Sequence, residues 1–354
     1  MLSYNKEKPL IAFVVPTGIG ASIGGYAGDA SQYARMFAED FNVIVNPNVV
    51  NAACFSGITS NMFYTEGFAL NQFFKGFINL VPSKNNKIGI IFDKGISEGI
   101  LNVHINTINA VKTVYGVDIV GYEITKDEVG VEFFNTQAGI SSGCVKNNKT
   151  MLDAGNKLIK KGANVLAVVC KFDEPPEDNY KDGEGVDIVG GVEAVISHYL
   201  TRELNVPVVH SPAFENITIT KDLVDSKTAA EYITPTFLPC LLIALKNAPL
   251  YSRKKVEHNI NIRDLKALVV PYNSLGSSIV LDAILESGNN LNPAAILYSK
   301  IDDPIAKFDE NKEDDEIKEK ILKDLKMQGL LIKNPSIIKE MDTYIDCLKE
   351  LKEI

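Results

Sequence analysis

Between residues 10 and 300, short runs of apolar residues alternate with longer segments in which apolar positions recur every three to four residues. This alternation predicts βαβ units around largely parallel, buried sheets, an α/β fold. The predicted strands are Leu10–Val15, Asn42–Val45, Lys87–Phe92, Asp118–Ile124, Val165–Cys170, Val206–His210, Ala267–Val270 and Ala294–Tyr298. The predicted helices are Ser31–Glu39, Thr59–Phe74, Glu98–Tyr115, Lys149–Lys161, Val189–Leu204, Thr236–Lys246 and Ser277–Glu286. Beyond Ser299 the pattern gives way to charge, with Asp309-Glu310-Asn311-Lys312-Glu313-Asp314-Asp315-Glu316 leading into Glu/Lys-rich segments. That stretch reads as a linker and two exposed amphipathic helices, Glu316–Met327 and Pro335–Lys352, packed along the body or a neighbouring subunit.

A faint echo links Val14-Val15-Pro16-Thr17-Gly18 with Val269-Val270-Pro271-Tyr272-Asn273, each a strand, a proline and a small-residue turn into a helix. The expected organisation is therefore two related lobes with flanking helices, residues 1–125 and 126–300, followed by a charged helical tail over 301–354. In open α/β sheets ligands gather outside the carboxyl ends of the strands. The loops that follow the strands are where chemistry is sought.

Composition narrows the function. Of 354 residues, 45% are apolar and 23% charged, which suits a folded protein with a buried core. The net charge of −9 argues against a nucleic-acid partner, because phosphate binding needs a concentrated positive surface. No apolar run reaches the roughly 18 residues of a membrane span. The first nine residues also lack a signal peptide's apolar core, so the expectation is a cytoplasmic protein without membrane contact. Five cysteines form no CxxC pair and no zinc spacing, so no metal site is expected and the thiols are free.

The densest signal is Pro16-Thr17-Gly18-Ile19-Gly20-Ala21-Ser22-Ile23-Gly24-Gly25-Tyr26-Ala27-Gly28 after the first strand. Its glycines would let backbone N–H groups face an anion at a helix start. It is neither a Walker loop nor a strict GxGxxG turn, and Asn46-Pro47 stands where a dinucleotide fold would place an acidic residue. The second strand runs into Asn48, Asn51 and Cys54, followed by Thr59 and Ser60. The fifth ends in Cys170-Lys171. Two strand-end thiols in one cleft could act as acid and base, although a buried cysteine is often inert.

This pattern resembles the aspartate/glutamate racemase superfamily: a glycine turn after the first strand, a strand-end Cys with a small-polar turn, and a second strand-end Cys. The resemblance implies two pseudosymmetric α/β domains, one thiol on each face of a substrate carbon, and inversion by proton transfer without metal or organic cofactor. Here Pro16-Thr17, Phe55-Ser56 and Lys171-Phe172 replace that family's Asp-Ser, Asn-Thr and Thr-His. A more specific resemblance is carried by VVPTGIGASIGGYAGDA, NPNVVNAA, YTEGFAL and GGVEAVISHYLTRELNVPVVHSP. These look like a family of bacterial and plastid-type conserved proteins classed as a domain of unknown function. It implies that Thr17, Gly18, Gly20, Gly24, Gly25, Asn48, Asn51, Glu66, Glu193 and His198 lie in shared motifs, and it supplies no reaction.

The expected site is a cleft between the Thr17–Gly28 loop, the Asn48–Ser60 loop, the Cys170–Asp173 strand end and the Asn273–Ser278 turn. Its substrate would be a small anionic metabolite, a carboxylate. The binding residues would be Thr17, Gly18, Gly20, Ser22, Gly24, Gly25, Asn48, Asn51, Thr59, Ser60, Glu193, His210, Ser277 and Ser278. Cys54 and Cys170 are the candidate acid and base of an isomerase, racemase or lyase. The alternatives are hydrolysis or ring opening of a small amide, with Glu66 or Lys171 assisting water, and a non-catalytic metabolite sensor. A homo-oligomer is expected from the amphipathic tail. The long acidic stretch Asp173–Asp187 reads as a mobile loop without EF-hand order, with a lid or an oxygen-rich divalent-cation site as the alternatives.

Overall fold

A computed structural model describes residues 4–17, 23–135, 141–173, 179–216, 219–254, 258–271, 274, 277–287, 295–299 and 338–353. Within these, the first part of the chain forms β1 (Leu10–Phe13), α1 (Ser31–Asp40), β2 (Asn42–Val45), the single turn α2 (Pro47–Val50), the two-residue strands β3 (Asn51–Ala52) and β4 (Phe55–Ser56), β5 (Met62–Tyr64), α3 (Gly67–Phe74) and β6 (Asn79–Val81). The middle forms β7 (Lys87–Phe92), α4 (Glu98–Tyr115), β8 (Asp118–Ile124), β9 (Val131–Asn135), β10 (Ser141–Val145), α5 (Asn148–Lys160), β11 (Val165–Lys171), α6 (Gly190–Leu204) and β12 (Val208–Ala213). The last part forms α7 (Ala229–Tyr232), α8 (Leu238–Leu245), β13 (Leu250–Ser252), β14 (Leu265–Pro271), α9 (Ser278–Ser287), β15 (Ala295–Ser299), β16 (Ile338–Met341) and α10 (Tyr344–Glu353).

Two parallel sheets carry this α/β fold. The larger has the order β16-β15-β14-β1-β2-β5, the smaller β12-β11-β7-β8. Strand pairing crosses the division expected near residue 125. Leu10–Phe13 pairs with β14, and Lys87–Phe92 pairs with both β8 and β11, so the first sheet joins the two ends of the chain and the second is made from its middle.

Alternation along the strands sets the core. In β1, Ile11 and Phe13 face a cluster that includes α1, α8 and α10, while Leu10 and Ala12 face α3 and α9. Helix α8, Leu-Pro-Cys-Leu-Leu-Ile-Ala-Leu, is apolar nearly all round. It is correspondingly buried, in the cluster that runs from Phe13 in the first sheet to Phe92 in the second. Among the described residues no helix is long and apolar enough to cross a membrane.

Two predicted helices resolve differently. Thr59–Phe74 is β5 followed by α3: Met62, Phe63 and Tyr64 are all buried and pair with Val43–Val45, with Phe63 facing one core and its neighbours the other. Within Pro335–Lys352, Ile338–Met341 is the sixth strand of the first sheet, and only from Tyr344 does a helix begin. This segment is no solvated tail. Tyr344 is fully buried, its ring 5.2 Å from that of Phe13. The Glu316–Met327 helix lies outside the described residues.

Candidate functional site

A cleft of about 400 Å³ opens at the carboxyl ends of β1, β2 and β12. Its walls come from Gly24–Gly28, the Pro47–Ala53 segment, Tyr180, Asp187–Glu193, His210–Asn216 and Glu231–Leu241. The glycine loop and the asparagine segment are locked together. Gly28 has φ +70°, and a Cβ there would lie 2.3 Å from the Asn51 carbonyl oxygen, so only glycine fits. The Asn46 side chain bridges the Val15 N–H and carbonyl, and the Asn48 amide donates to the Val15 carbonyl at 3.0 Å. Gly28, from the loop that the sequence offered as an anion cradle, is thus packed tightly against the second strand's end. Strain also gathers here: Ala27 (φ +42°) and Ala53 (φ +54°), both lining the cleft, adopt a backbone conformation that alanine disfavours.

On the opposite wall, α6 begins against β10. Gly191 lies so close to the Ser141 carbonyl that a Cβ would sit 2.1 Å from it, and its N–H donates to the Ser141 hydroxyl at 2.8 Å. This docking aims the first turn of α6, and with it Glu193, into the cleft. Glu193 is 9% exposed, with His210 Nε2 3.9 Å from its carboxyl oxygen. Burial lifts the Glu193 carboxyl well above the ordinary carboxylate range, and Asp187 and Glu231 lift it further. Burial pushes the His210 imidazole down to about 3, with a smaller push from His198. Both shifts favour a neutral carboxylic acid beside a neutral imidazole.

Glu231, half-buried on α7, is the second acid. Burial raises it first and the Asp187 carboxylate next, against opposing hydrogen bonds from the Tyr180 hydroxyl, 3.1 Å away, and the Ala27 N–H. The strained Ala27 therefore has a use: its N–H addresses a carboxylate. Asp187 itself accepts from the Val189 N–H at 3.0 Å, just ahead of α6. The Asn51 amide donates to the Tyr64 hydroxyl at 3.0 Å, leaving its own oxygen buried and, like His210 Nδ1, without a hydrogen-bond partner among the described residues.

The expected site residues divide sharply. Gly24, Gly25, Asn48, Asn51, Glu193 and His210 line the cleft. Gly18, Gly20 and Ser22 lie outside the described residues. Thr17 accepts from the Asn48 amide at 3.3 Å at the edge of this wall. Thr59 bonds to Asn61, Ser278 to Asn71, and the buried Ser277 hydroxyl has no hydrogen-bond partner among the described residues; none of these, nor Ser60, lines the cleft.

The paired thiols are not brought together in the cleft. Cys170 is 1% exposed in the core between β11 and α5, its sulfur 3.8 Å from that of Met151, and burial raises its thiol well above the usual range. Strand alternation turns it toward that core. Cys54 sits on the β3–β4 turn near Cys240, and it is Cys240 that lines the cleft, its thiol pushed up to about 12 by burial. Glu66 is the N-cap of α3, accepting from the Phe68 and Ala69 N–H groups at 2.8 and 2.9 Å. Lys171 lies outside the cleft with its ammonium 3.9 Å from Glu215. Of the four expected walls, the Cys170–Asp173 strand end does not line the cleft, nor do Ser274, Ser277 and Ser278, the described residues of the Asn273–Ser278 turn.

Sequence reasoning missed Asp187, Glu231 and Tyr180. Asp187 carried a signal, an acidic residue two positions before a Val-Gly-Gly helix start, where it accepts the Val189 N–H ahead of α6. Glu231 carried none.

A family model described as a protein of unknown function, DUF3326, matches residues 10–295. The chain is 33% identical over 275 residues to an uncharacterized lipoprotein of Synechococcus sp., covering 76% of each chain. It is also similar to one of the subunits of ATP-dependent helicase/deoxyribonucleases. The identity is 59% over 68 residues in Clostridioides difficile, 18% of this chain and 6% of the helicase chain. It is 29% over 238 residues in Thermoanaerobacter sp., 64% of this chain and 21% of the helicase chain. The match thus spans a small part of either helicase chain. No solved structure matches the chain.

Proposed function

The chain belongs to the DUF3326 family, and from that footing we propose that it is a proton-transfer enzyme, an isomerase or lyase acting on a small metabolite held in the cleft above Glu193 and His210. The observation that carries this reading is the Glu193–His210 pair: a buried carboxyl and an imidazole 3.9 Å apart, both biased to their neutral forms, facing a cavity of metabolite size. A carboxyl kept protonated near neutral pH is a general acid. Glu193 would deliver its proton to the substrate. Glu231, the second acid with a raised pKa, would supply the opposite proton transfer once ionised. Neutral His210, too weak a base to take that proton, would orient Glu193.

This keeps the proton-transfer chemistry expected from the racemase-like pattern but moves it from thiols to carboxyls. It also removes the reason to expect a carboxylate substrate, since the described lining contains three carboxyl groups and no Lys or Arg. The test is exchange in deuterated water with pooled small metabolites, read by mass spectrometry. The expected result is one deuteron gained at carbon by a pool member, abolished in Glu193→Gln. Incorporation of solvent ¹⁸O without carbon deuteration would establish hydrolysis instead, and exchange that persists in Glu193→Gln would remove the assignment.

A further inference from the structure

Separate segments of the chain line the cleft with hydrogen-bonding groups that carry no formal charge. The Pro47–Ala53 segment brings the Asn48 amide, the end of β12 leads to the Asn216 amide, and Tyr180, Tyr232 and Thr234 bring hydroxyls. Several of these are oriented in advance. The Asn48 amide nitrogen is held by the Val15 carbonyl at 3.0 Å and the Thr17 hydroxyl at 3.3 Å. Thr234 donates to the Thr236 carbonyl at 3.0 Å, and the Thr236 hydroxyl accepts from the Leu238 N–H at 3.2 Å, which fixes the turn into α8. A hydroxyl or amide with one bond made keeps further donor or acceptor capacity. Groups fixed before the ligand arrives lose little freedom when it binds.

The same lining is poorly suited to an ionic ligand. Among the described residues no Lys or Arg lines the cleft to hold an anion. Of its three carboxyl groups, Glu193 and Glu231 are pushed toward the protonated form by burial and by Asp187, while Asp187 accepts from the Val189 N–H at 3.0 Å. A protonated carboxyl donates and accepts as a hydroxyl does, and it lacks the charge that would draw a cation. Phe214 and Phe237 add ring faces against which the C–H side of a small carbon skeleton can lie. The lining thus pairs donors with acceptors and polar groups with rings.

We infer that the cleft recognises an uncharged polyhydroxylated metabolite, a sugar or polyol, whose hydroxyls pair with Asn48, Tyr180, Tyr232 and Thr234 while its carbon skeleton lies against Phe214 and Phe237. This names a substrate class for the proposed site and rests on the uncharged Glu193 that the proton-transfer reading requires. The cavity of about 400 Å³ has room for such a molecule. Because no net charge is exchanged between ligand and wall, binding is insensitive to ionic strength.

The experiment is calorimetry on the full chain at neutral pH, at low and high salt. The ligands are a matched four-carbon set, erythritol, 1,4-butanediol, succinate and putrescine, with xylose and glucose as larger polyols. The expected result is binding by at least one of erythritol, xylose and glucose. Succinate and putrescine should bind at least about tenfold more weakly, and so should 1,4-butanediol, which lacks two of erythritol's hydroxyls. The affinity of the bound polyol should hold from low to high salt, where binding carried by charge would fall. NMR of the unmodified protein should show the His210 ring signals moving as the polyol binds, since His210 lines the cleft. Tighter binding of succinate, putrescine or butanediol than of every polyol, no binding by any polyol, a strong salt dependence, or polyol binding that leaves His210 unmoved would overturn the inference. Deuterium exchange separates the two claims. A bound sugar, with no pool member exchanging, would sink the proton-transfer reading alone, whereas an amine or carboxylate that exchanges and moves the His210 signals, with no polyol bound, would sink the polyol inference alone.

Discussion

Replacing Glu66 by Gln separates a helix cap from a catalytic base. The Glu66 carboxyl is 2% exposed, accepts two backbone N–H bonds at the start of α3, and lies beside the Thr201 and Tyr251 hydroxyls. Burial outweighs these bonds and raises it from 4.5 to about 7. The folded state therefore binds the proton more tightly than the unfolded chain does. Stability from this group is fully present below pH 4.5 and falls as pH rises toward and through 7. Integrated between pH 5 and 8, a shift of that size costs about 2.5 kcal/mol. Gln resembles the protonated acid and cannot ionise. Urea denaturation should find Glu66→Gln less stable than the parent by about 1–3 kcal/mol at pH 5, because the amide NH2 cannot accept the second backbone N–H, with the difference shifting by about 2.5 kcal/mol in the variant's favour by pH 8. Turnover, once a substrate is known, should persist. Denaturation curves that keep a constant separation across this pH range would refute the buried-acid account of Glu66.

Other perturbations test neighbouring parts of the account. Glu193→Gln should lower turnover at least about 10²-fold, the usual loss when a positioned general acid is removed, with thermal denaturation showing the fold intact. Cys170→Ala should cost about 1–2 kcal/mol of stability by opening a small cavity against Met151, while leaving ligand affinity unchanged in calorimetry. Gly28→Ala should cost at least about 2 kcal/mol, combining a left-handed backbone with a Cβ forced onto the Asn51 carbonyl, and should weaken ligand binding because Asn51 must move. The His210 ring nitrogens, followed by NMR, should show no titration between pH 5 and 8 in the free protein; an ordinary imidazole transition near 6.5 would contradict its burial.

Much of the fold was legible because buried parallel strands are nearly pure apolar runs: Lys87–Phe92 and Asn42–Val45 fall where the pattern puts them. The pattern failed where a strand was too short to show its period. Met62–Tyr64 was absorbed into the following helix, and Ile338–Met341 was hidden in a charged segment although its backbone pairs at the edge of a sheet. The site was half legible. Glycine and asparagine loops marked one wall, and Glu193 and His210 stood among the residues expected to bind. Cys54 and Cys170 misled because a strand-end position does not determine which face a side chain takes, and Cys170 faces the core packed against α5. Asp187 and Glu231 are separated by 44 positions and become partners only through the chain's return past α6 and β12.

The central claim is that Glu193 is held as a neutral acid in the cleft. Infrared difference spectroscopy at neutral pH between the unmodified protein and Glu193→Gln measures this directly, with no substrate needed. The account predicts a protonated carboxylic acid C=O band that disappears in the variant. A difference spectrum showing only the loss of an ionised carboxylate would contradict it.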